Sequence, residues 1–175
     1  ESAPRFTPTF TEDGGLAPPA ALAAKLLPPS SADGAFDTPF FDGKKAPLTL
    51  ADLKGEGLVV NFWATWCIPC VREMPALDAL AAKLEGRGVQ VVTISQDRAP
   101  LVKVPAFYEK NHINLLPLYY DEQGSLGRKL DVQALPTTIL IDAEGREVGR
   151  VLGVLQWNAD DVVDYMVYRL APKGP

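Results

Sequence analysis

The feature that most constrains the fold is a buried-strand pattern that leads into a pair of cysteines and then into a helix pattern. Residues 58–63 are almost continuously apolar, which is typical of a strand buried on both faces of a sheet. Beyond the cysteines, apolar residues recur at helical spacing, and two glycines predict the end of that helix: Leu77, Leu80, Ala81, Leu84, Gly86 and Gly88. Cys67 and Cys70 therefore lie where a buried strand should pass into a helix N-terminus.

The remaining patterns alternate between strand and helix. Before the cysteines, they predict a hairpin within 36–53 with Asp42-Gly43 at its turn, and a strand at 58–63. After the cysteine helix, they predict a strand at 89–94, a helix at about 101–111, a short strand at 116–120 and a short helix at 125–130. The chain then continues as a hairpin of strands 137–141 and 147–152 and a last helix capped by Asn158. The order after the first hairpin is βαβ, a helix and then ββα. This order predicts an α/β fold.

The N-terminal region has a different composition. Half of the chain's sixteen prolines fall within the first 47 residues, and proline removes a backbone donor and fixes φ. We therefore predict a proline-rich leader over 1–34, with a short helix at 20–27, and a globular domain over 35–175. The leader could serve as a tether, or it could wrap around the surface of the domain.

Charge and hydropathy give no support to nucleic-acid binding or to a membrane-spanning segment. Seventeen basic and 22 acidic residues give a net charge of −5, and no basic run is interleaved with aromatic residues, so we expect no nucleic-acid partner. No apolar stretch is long enough to cross a bilayer. Because the chain begins at Glu1 rather than at a methionine, we expect a processed product from which an export signal or membrane anchor was removed. An ordinary cytosolic protein is the alternative.

The cysteine pair Cys67-Ile68-Pro69-Cys70 holds the only two cysteines of the chain. A disulfide across so short a loop removes little entropy from the unfolded chain, so structural stapling explains it poorly. A zinc site needs about four ligands, and the only histidine is His112, which we predict to be an exposed helix-end residue. The remaining chemistry is a dithiol that opens and closes, as expected for Cys-x-x-Cys beside a βαβ pattern.

The two cysteines should have different roles. Amide N–H groups and the dipole at a helix N-terminus stabilise an anion, so Cys67 should carry thiolate at neutral pH and act as the attacking thiol. Cys70 lies one turn further into the helix. We predict that it is shielded, protonated and able to resolve a mixed disulfide.

Three short motifs, two of them next to the cysteine pair, carry a family resemblance. Residues 61–67, Asn-Phe-Trp-Ala-Thr-Trp-Cys, precede Glu73-Met74-Pro75, and Leu-Pro-Thr-Thr follows at 135–138. With the order of elements, these motifs resemble the TlpA/ResA/CcmG-like branch of the thioredoxin superfamily over about residues 36–171. The resemblance implies a three-layer thioredoxin-like fold, with a central mixed β-sheet flanked by helices and an N-terminal β-hairpin extension.

The resemblance also implies roles for individual residues. Pro136 aligns with the family's cis-proline beside the dithiol, although a trans proline at a strand entrance is the alternative. Trp66 would cover Cys67 and contact partners, or would simply pack on the surface. The implied substrate-binding residues are Trp66, Pro69, Leu135, Pro136 and Thr137.

Glu73 takes the place of a proton-transferring carboxylate in the resemblance. Thioredoxin itself has a buried aspartate where this chain has Asn61, which cannot titrate. A desolvated Glu73, one turn after Cys70, would have a raised pKa and could exchange a proton with that thiol. The alternative is a solvent-exposed charge near the helix N-terminus.

The resemblance implies a membrane-anchored thiol-disulfide oxidoreductase of the periplasm or another extracytoplasmic compartment, with no cofactor beyond the Cys67–Cys70 disulfide and no metal. We expect a reductant, since Ile68-Pro69 adds no cation near Cys67, and since residues 71–135 leave no room for the helical insertion of DsbA-like oxidants. Expected partners are protein disulfides, such as apocytochrome c or a copper chaperone for oxidase assembly, and a membrane thiol reductase as electron donor. An oxidant or isomerase, a Sco-like copper carrier and a peroxide-reducing relative are the alternatives.

Overall fold

A computed structural model describes residues 7–175, and within them the strands form one sheet. The strands are β1 (Leu26–Leu27), β2 (Phe40–Asp42), β3 (Pro47–Leu48), β4 (Gly57–Trp63), β5 (Val89–Ser95), β6 (Tyr119–Tyr120), β7 (Thr137–Ile141) and β8 (Glu147–Leu152). Their order across the sheet is β1-β8-β7-β4-β5-β6-β2-β3. The helices are α1 (Ala20–Ala23), α2 (Ile68–Leu84), α3 (Pro100–Lys110), α4 (Ser125–Lys129) and α5 (Asp160–Leu170).

The sheet is mixed, and the strand before the cysteines lies near its centre. β4 pairs in parallel with β5 and antiparallel with β7, and all of its residues are buried. β7 and β8 form the predicted antiparallel hairpin. β2 and β3 form the hairpin predicted around Asp42-Gly43. These pairings confirm the predicted fold class.

A separate apolar cluster covers each face of the sheet. On one face, residues of α2, α3 and α5 pack around Trp63 of β4, and Leu22 of α1 and Trp157 belong to the same cluster. On the other face, Phe62 packs with residues of α4 and with Phe40 of β2. The alternation along β4 sends successive side chains to opposite layers, so the three-layer prediction is confirmed.

The short helix predicted over 20–27 is wrong in extent. Helix α1 ends at Ala23, and Leu26 and Leu27 form β1, which pairs antiparallel with Val151 and Arg150 of β8. The backbone groups of β8 would otherwise lie at an open sheet edge, and this pairing satisfies them. Whether 1–34 forms a unit separate from 35–175 stays a prediction.

The predicted cap of the last helix is also wrong. Helix α5 begins at Asp160, and its N-cap is Ala159, which makes no side-chain cap hydrogen bond. Asn158 instead accepts a hydrogen bond on its backbone carbonyl from Lys83 Nζ. Asp160 and Asp161 place negative charge in the first turn, where the helix dipole favours it.

The strand predicted over 116–120 contains only Tyr119 and Tyr120. Just before it, the amides of residues 114–116 donate to the Asp78 carboxylate, and the Pro117 carbonyl accepts from the Tyr108 hydroxyl. These backbone groups bind side chains, so they are not available for a sheet ladder.

Candidate active site

The cysteine pair lies where β4 ends and α2 begins. Cys67 is the N-cap residue of α2, and its Sγ accepts a hydrogen bond from the Cys70 amide at 3.3 Å. Pro69 occupies the first turn, where an amide N–H would have no intrahelical partner. The two cysteines form a disulfide. The strand-to-helix placement predicted from the sequence is therefore confirmed.

The two sulfur-bearing residues differ in exposure. Cys67 is 7% exposed and Cys70 is fully buried. Trp66 and Ile68, on either side of Cys67, are 65% and 66% exposed. An incoming molecule would therefore meet Cys67 before Cys70, with apolar surface on both sides of it.

The Leu135–Pro136 peptide bond is cis, so the trans alternative is wrong. Pro136 is buried and Leu135 is half-buried. Thr137 is also buried, and its hydroxyl donates to the Ala134 carbonyl. Within residues 7–175, the backbone of Leu135 makes no backbone–backbone hydrogen bond.

A groove of about 280 Å³ connects the surface around Trp66 to the cis-proline loop. It is lined by Trp66, Gln96, Gly124, Gly127, Arg128, Val132, Gln133, Ala134 and Leu135. Two of the predicted substrate-binding residues, Trp66 and Leu135, thus line one depression.

Glu73 is 2% exposed, so the alternative of a solvent-exposed helix charge is wrong. Its Oε1 accepts from Asn61 Nδ2 at 3.1 Å, and its Oε2 accepts from Trp157 Nε1 at 2.9 Å and from the Leu155 amide at 3.2 Å. Burial raises the pKa of Glu73, although the hydrogen bonds from Trp157, Leu155 and Asn61 oppose that rise. The carboxyl group therefore keeps its proton to a higher pH than an exposed glutamate would.

Asn61 belongs to this buried network as well. Its Nδ2 also donates to the Thr138 hydroxyl at 3.0 Å. Asn61, which stands where thioredoxin has its buried aspartate, therefore binds Glu73, the carboxylate to which the resemblance gives the aspartate's role.

Sequence reasoning missed the other partners of Glu73. Leu155 and Trp157 lie between β8 and α5, in a segment with no periodic pattern, and no local signal marks them. Their distance along the chain from Glu73 is 82 and 84 residues. Only the packing of α2 against α5 and the end of β8 brings them to the carboxylate.

Sequence reasoning also did not identify Asp97 as a residue that supports the site. It is fully buried just after β5, and it accepts hydrogen bonds from the Thr65 amide at 2.9 Å and from the Thr65 hydroxyl at 2.6 Å. These bonds fix the loop that carries Trp66 and Cys67. The sequence did hold a signal, because a polar residue at the carboxyl end of the neighbouring parallel strand is well placed to reach a functional loop.

His112 lies apart from this network, exposed just beyond the end of α3. In residues 7–175, no three or more His, Cys, Asp or Glu side chains converge as metal ligands would. No helix of that part of the chain combines the length and apolar character needed to cross a bilayer.

The mixed sheet, the cysteine pair at the start of α2 and the cis-proline together define a protein of the thioredoxin superfamily. A family model described as Redoxin matches residues 4–166, and the chain belongs to that family. The predicted resemblance to the TlpA/ResA/CcmG-like branch is confirmed.

Named relatives agree with this assignment. The thiol-disulfide oxidoreductase ResA of Bacillus thuringiensis (strain Al Hakam) is 35% identical over 116 residues, and the match covers 64% of this chain and 62% of the relative. The chain thus spans less than two thirds of that relative's length.

Two solved structures share the fold. A secreted disulfide oxidoreductase of Mycobacterium tuberculosis, homologous to DsbE of E. coli, is 25% identical with a TM-score of 0.63, covering 77% of this chain and 98% of its own. A thiol:disulfide interchange protein of the thioredoxin family from Chlorobium tepidum TLS is also 25% identical, with a TM-score of 0.61, covering 82% and 97%.

Proposed function

We propose that this protein is a thiol-disulfide oxidoreductase that reduces cysteine pairs in extracytoplasmic proteins. The observation that carries the proposal is the Cys67–Cys70 disulfide at the start of α2, in which Cys67 Sγ accepts a hydrogen bond from the Cys70 amide. In the dithiol form, the same amide and the helix dipole would stabilise a thiolate on Cys67. That thiolate is the nucleophile of disulfide exchange.

The first step is attack of the Cys67 thiolate on one sulfur of a substrate disulfide. A Cys67–substrate disulfide forms, the substrate's S–S bond breaks, and one substrate sulfur leaves as a thiolate. Trp66 and Ile68 offer apolar contact to the substrate, and the open backbone of Leu135 can pair with an extended segment of it. Pro69, Pro136 and Thr137 shape the surface around the reacting sulfur.

The second step is attack by Cys70 on the Cys67 sulfur. Cys70 must first lose its proton, and Glu73, one turn further along α2, is the acceptor that we assign. The mixed disulfide breaks, the second substrate thiolate leaves, and the Cys67–Cys70 disulfide forms. Two electrons have then passed from the protein to the substrate.

Two features favour a reductant over an oxidant. Ile68 and Pro69, between the cysteines, add no positive charge that would hold the thiolate more strongly than the helix does. Between α2 and Pro136 the chain forms only β5, α3, β6 and α4, with no additional helical domain of the DsbA kind. A strong oxidant depends on a strongly stabilised reduced form.

The relatives named above suggest the biological setting. One is a ResA oxidoreductase and another is described as secreted, which supports a periplasmic or other extracytoplasmic location. We propose that the substrates are protein disulfides, such as those of apocytochrome c or of a copper chaperone, and that a membrane thiol reductase regenerates the dithiol. A membrane anchor on the whole protein would hold it beside that donor.

The test is substrate capture by two single-cysteine variants. Cys70→Ser should accumulate covalent mixed disulfides with substrate proteins, because the resolving thiol is absent, and Cys67→Ser should trap few or none. Non-reducing gels followed by mass spectrometry would identify the attached partners. Equal trapping by both variants would contradict the assigned roles.

The reduction potential tests the direction of electron flow. Equilibration with glutathione or dithiothreitol buffers should give a value well below that of DsbA, which is about −120 mV. A value near −120 mV would make the protein an oxidant.

A further inference from the structure

The segment of residues 20–27, which contains α1 and β1, lies against the part of the molecule that holds Glu73. Leu22 is fully buried in the cluster that also contains Leu155 and Trp157. The motifs that carry the resemblance to the TlpA/ResA/CcmG-like branch lie within residues 36–171, so they assign no role to this segment. We call it the α1–β1 segment.

The backbone of the α1–β1 segment is tied to β8. Leu26 and Leu27 pair with Val151 and Arg150. The approach is close at Gly149, where an added Cβ would lie 2.9 Å from Leu26 Cδ1 and 3.1 Å from the Leu27 carbonyl oxygen. The segment therefore fixes the end of β8, from which the chain leads directly to Leu155 and Trp157.

Lys25 extends this attachment beyond the strand. Its Nζ donates a hydrogen bond to the Val154 carbonyl, and the next residue, Leu155, donates its amide to Glu73 Oε2. Two of the three hydrogen bonds to the Glu73 carboxylate thus come from the loop of residues 153–157, and Lys25 holds that loop from the outside.

The electrostatic surroundings of Glu73 give Lys25 a second role. Asn61 and Thr138 from the sheet, and all of residues 153–159 after β8, are uncharged. On α2 itself, Arg72 is exposed, Asp78 binds the amides of residues 114–116, and Cys70 is in the disulfide. Among the described residues, the charge found to act on Glu73 is that of Lys25, and it lowers the pKa of the carboxyl group.

We propose that the α1–β1 segment is a positioning element of the Glu73 site, which holds the 153–157 loop in place and puts the Lys25 ammonium where it favours the ionised carboxylate. Lys25 is a positioning residue because it acts through Glu73 and the loop. Its consequence for thiol exchange rests on the proton transfer proposed above between Glu73 and Cys70. The segment then tunes the reaction from the edge of the sheet that β1 forms.

The experiment is a direct titration of the Glu73 carboxyl group by ¹³C NMR in the disulfide form of the full chain. In that form neither cysteine has a proton to exchange, so Cys70 does not disturb the titration. Lys25→Met should raise the Glu73 pKa by about half a pH unit at low ionic strength, and the shift should shrink in 1 M salt. Lys25→Arg, which keeps the charge, should stay close to the parent protein.

Lys44→Met is the matched control. Lys44 is exposed in the β2–β3 turn at the opposite edge of the sheet, so the variant loses the same charge without touching the loop. If Lys25→Met and Lys44→Met give the same Glu73 titration, the positioning role is overturned.

A second measurement separates this inference from the proposed function. The pH dependence of Cys67 and Cys70 alkylation is compared in the reduced parent, Glu73→Gln and Lys25→Met proteins. One outcome is that the Glu73 pKa shifts in Lys25→Met while the cysteine titration stays unchanged in Glu73→Gln. It would support the positioning role and overturn the proton transfer. Altered cysteine titration in Glu73→Gln, without a Glu73 shift in Lys25→Met, would do the reverse.

Discussion

Glu73 and Glu147 are both enclosed glutamates, and their surroundings give them opposite acidities. Glu73 accepts three hydrogen bonds from neutral groups, and burial raises its pKa. The Glu147 side chain is only 3% exposed, and burial by itself would raise its pKa too. Hydrogen bonds from Arg150 and Ser31, together with the Arg150 charge, outweigh that effect and hold its pKa below the usual value.

The difference shows what separates a structural carboxylate from a titratable one. Arg150 donates to both oxygens of Glu147, from Nε at 2.7 Å and from Nη2 at 3.0 Å, so the charge is neutralised within the pair. No cationic side chain of residues 7–175 forms such a pair with Glu73, and its negative charge is stabilised by dipoles and by the more distant Lys25. Neutral donors keep the carboxylate in place while leaving its proton affinity high.

The largest expected effect on stability comes from removing Arg150, the cation that pairs with Glu147. Arg150→Met would leave Glu147 as an uncompensated buried charge, and we expect a loss of about 3–5 kcal/mol in the free energy of unfolding. Urea denaturation at neutral pH measures this loss. The double variant Arg150→Met with Glu147→Gln should recover part of it, and a loss below about 1 kcal/mol would show that the pair is not buried as described.

A smaller effect is expected when Glu73 loses one neutral donor. Trp157→Phe removes the indole N–H and leaves the carboxylate with a missing partner, for an expected loss of about 1–3 kcal/mol. Denaturation followed by circular dichroism avoids the change in tryptophan fluorescence. Trp66→Phe is the control, since an exposed side chain should change stability by no more than about 0.5 kcal/mol. Equal losses in the two variants would contradict the role of the indole as a buried donor.

The smallest effect is on how the free energy of unfolding depends on pH. For one titrating group this slope is limited to about 1.4 kcal/mol per pH unit. The raised pKa of Glu73 means that its stabilising contribution is complete below its ordinary value of 4.5 and is lost as pH rises through the folded-state pKa. Glu147 has a lowered pKa, so its contribution is complete above 4.5 and is lost as pH falls through the folded-state pKa.

Stability is therefore compared between the parent protein and Glu73→Gln or Glu147→Gln from acid to neutral pH. The advantage of the parent over Glu73→Gln should decline above pH 4.5, and its advantage over Glu147→Gln should decline below pH 4.5. Slopes of the same sign for both variants would show that the two glutamates are not distinguished by their partners.

Much of the fold was predictable because its signals are local. The apolar run of β4, the turn glycines and the helical spacing in α2 each act over a few residues, and they define elements whose order admits few topologies. Errors occurred where a tertiary contact replaced a local preference. Leu26 and Leu27 joined β8 rather than extending α1, and the amides before β6 bound Asp78 rather than a neighbouring strand.

The candidate site divides in the same way. The sequence by itself determined the cysteine spacing, the helix N-terminus that carries it and the presence of a glutamate one turn later, because these features depend on neighbours along the chain. Only the tertiary structure decided that Glu73 is buried, that Leu155 and Trp157 bind it, and that Lys25 approaches from the N-terminal segment. A carboxyl group's acidity depends on the donors, charges and solvent within a few ångströms, and folding brings those groups together from distant positions in the chain.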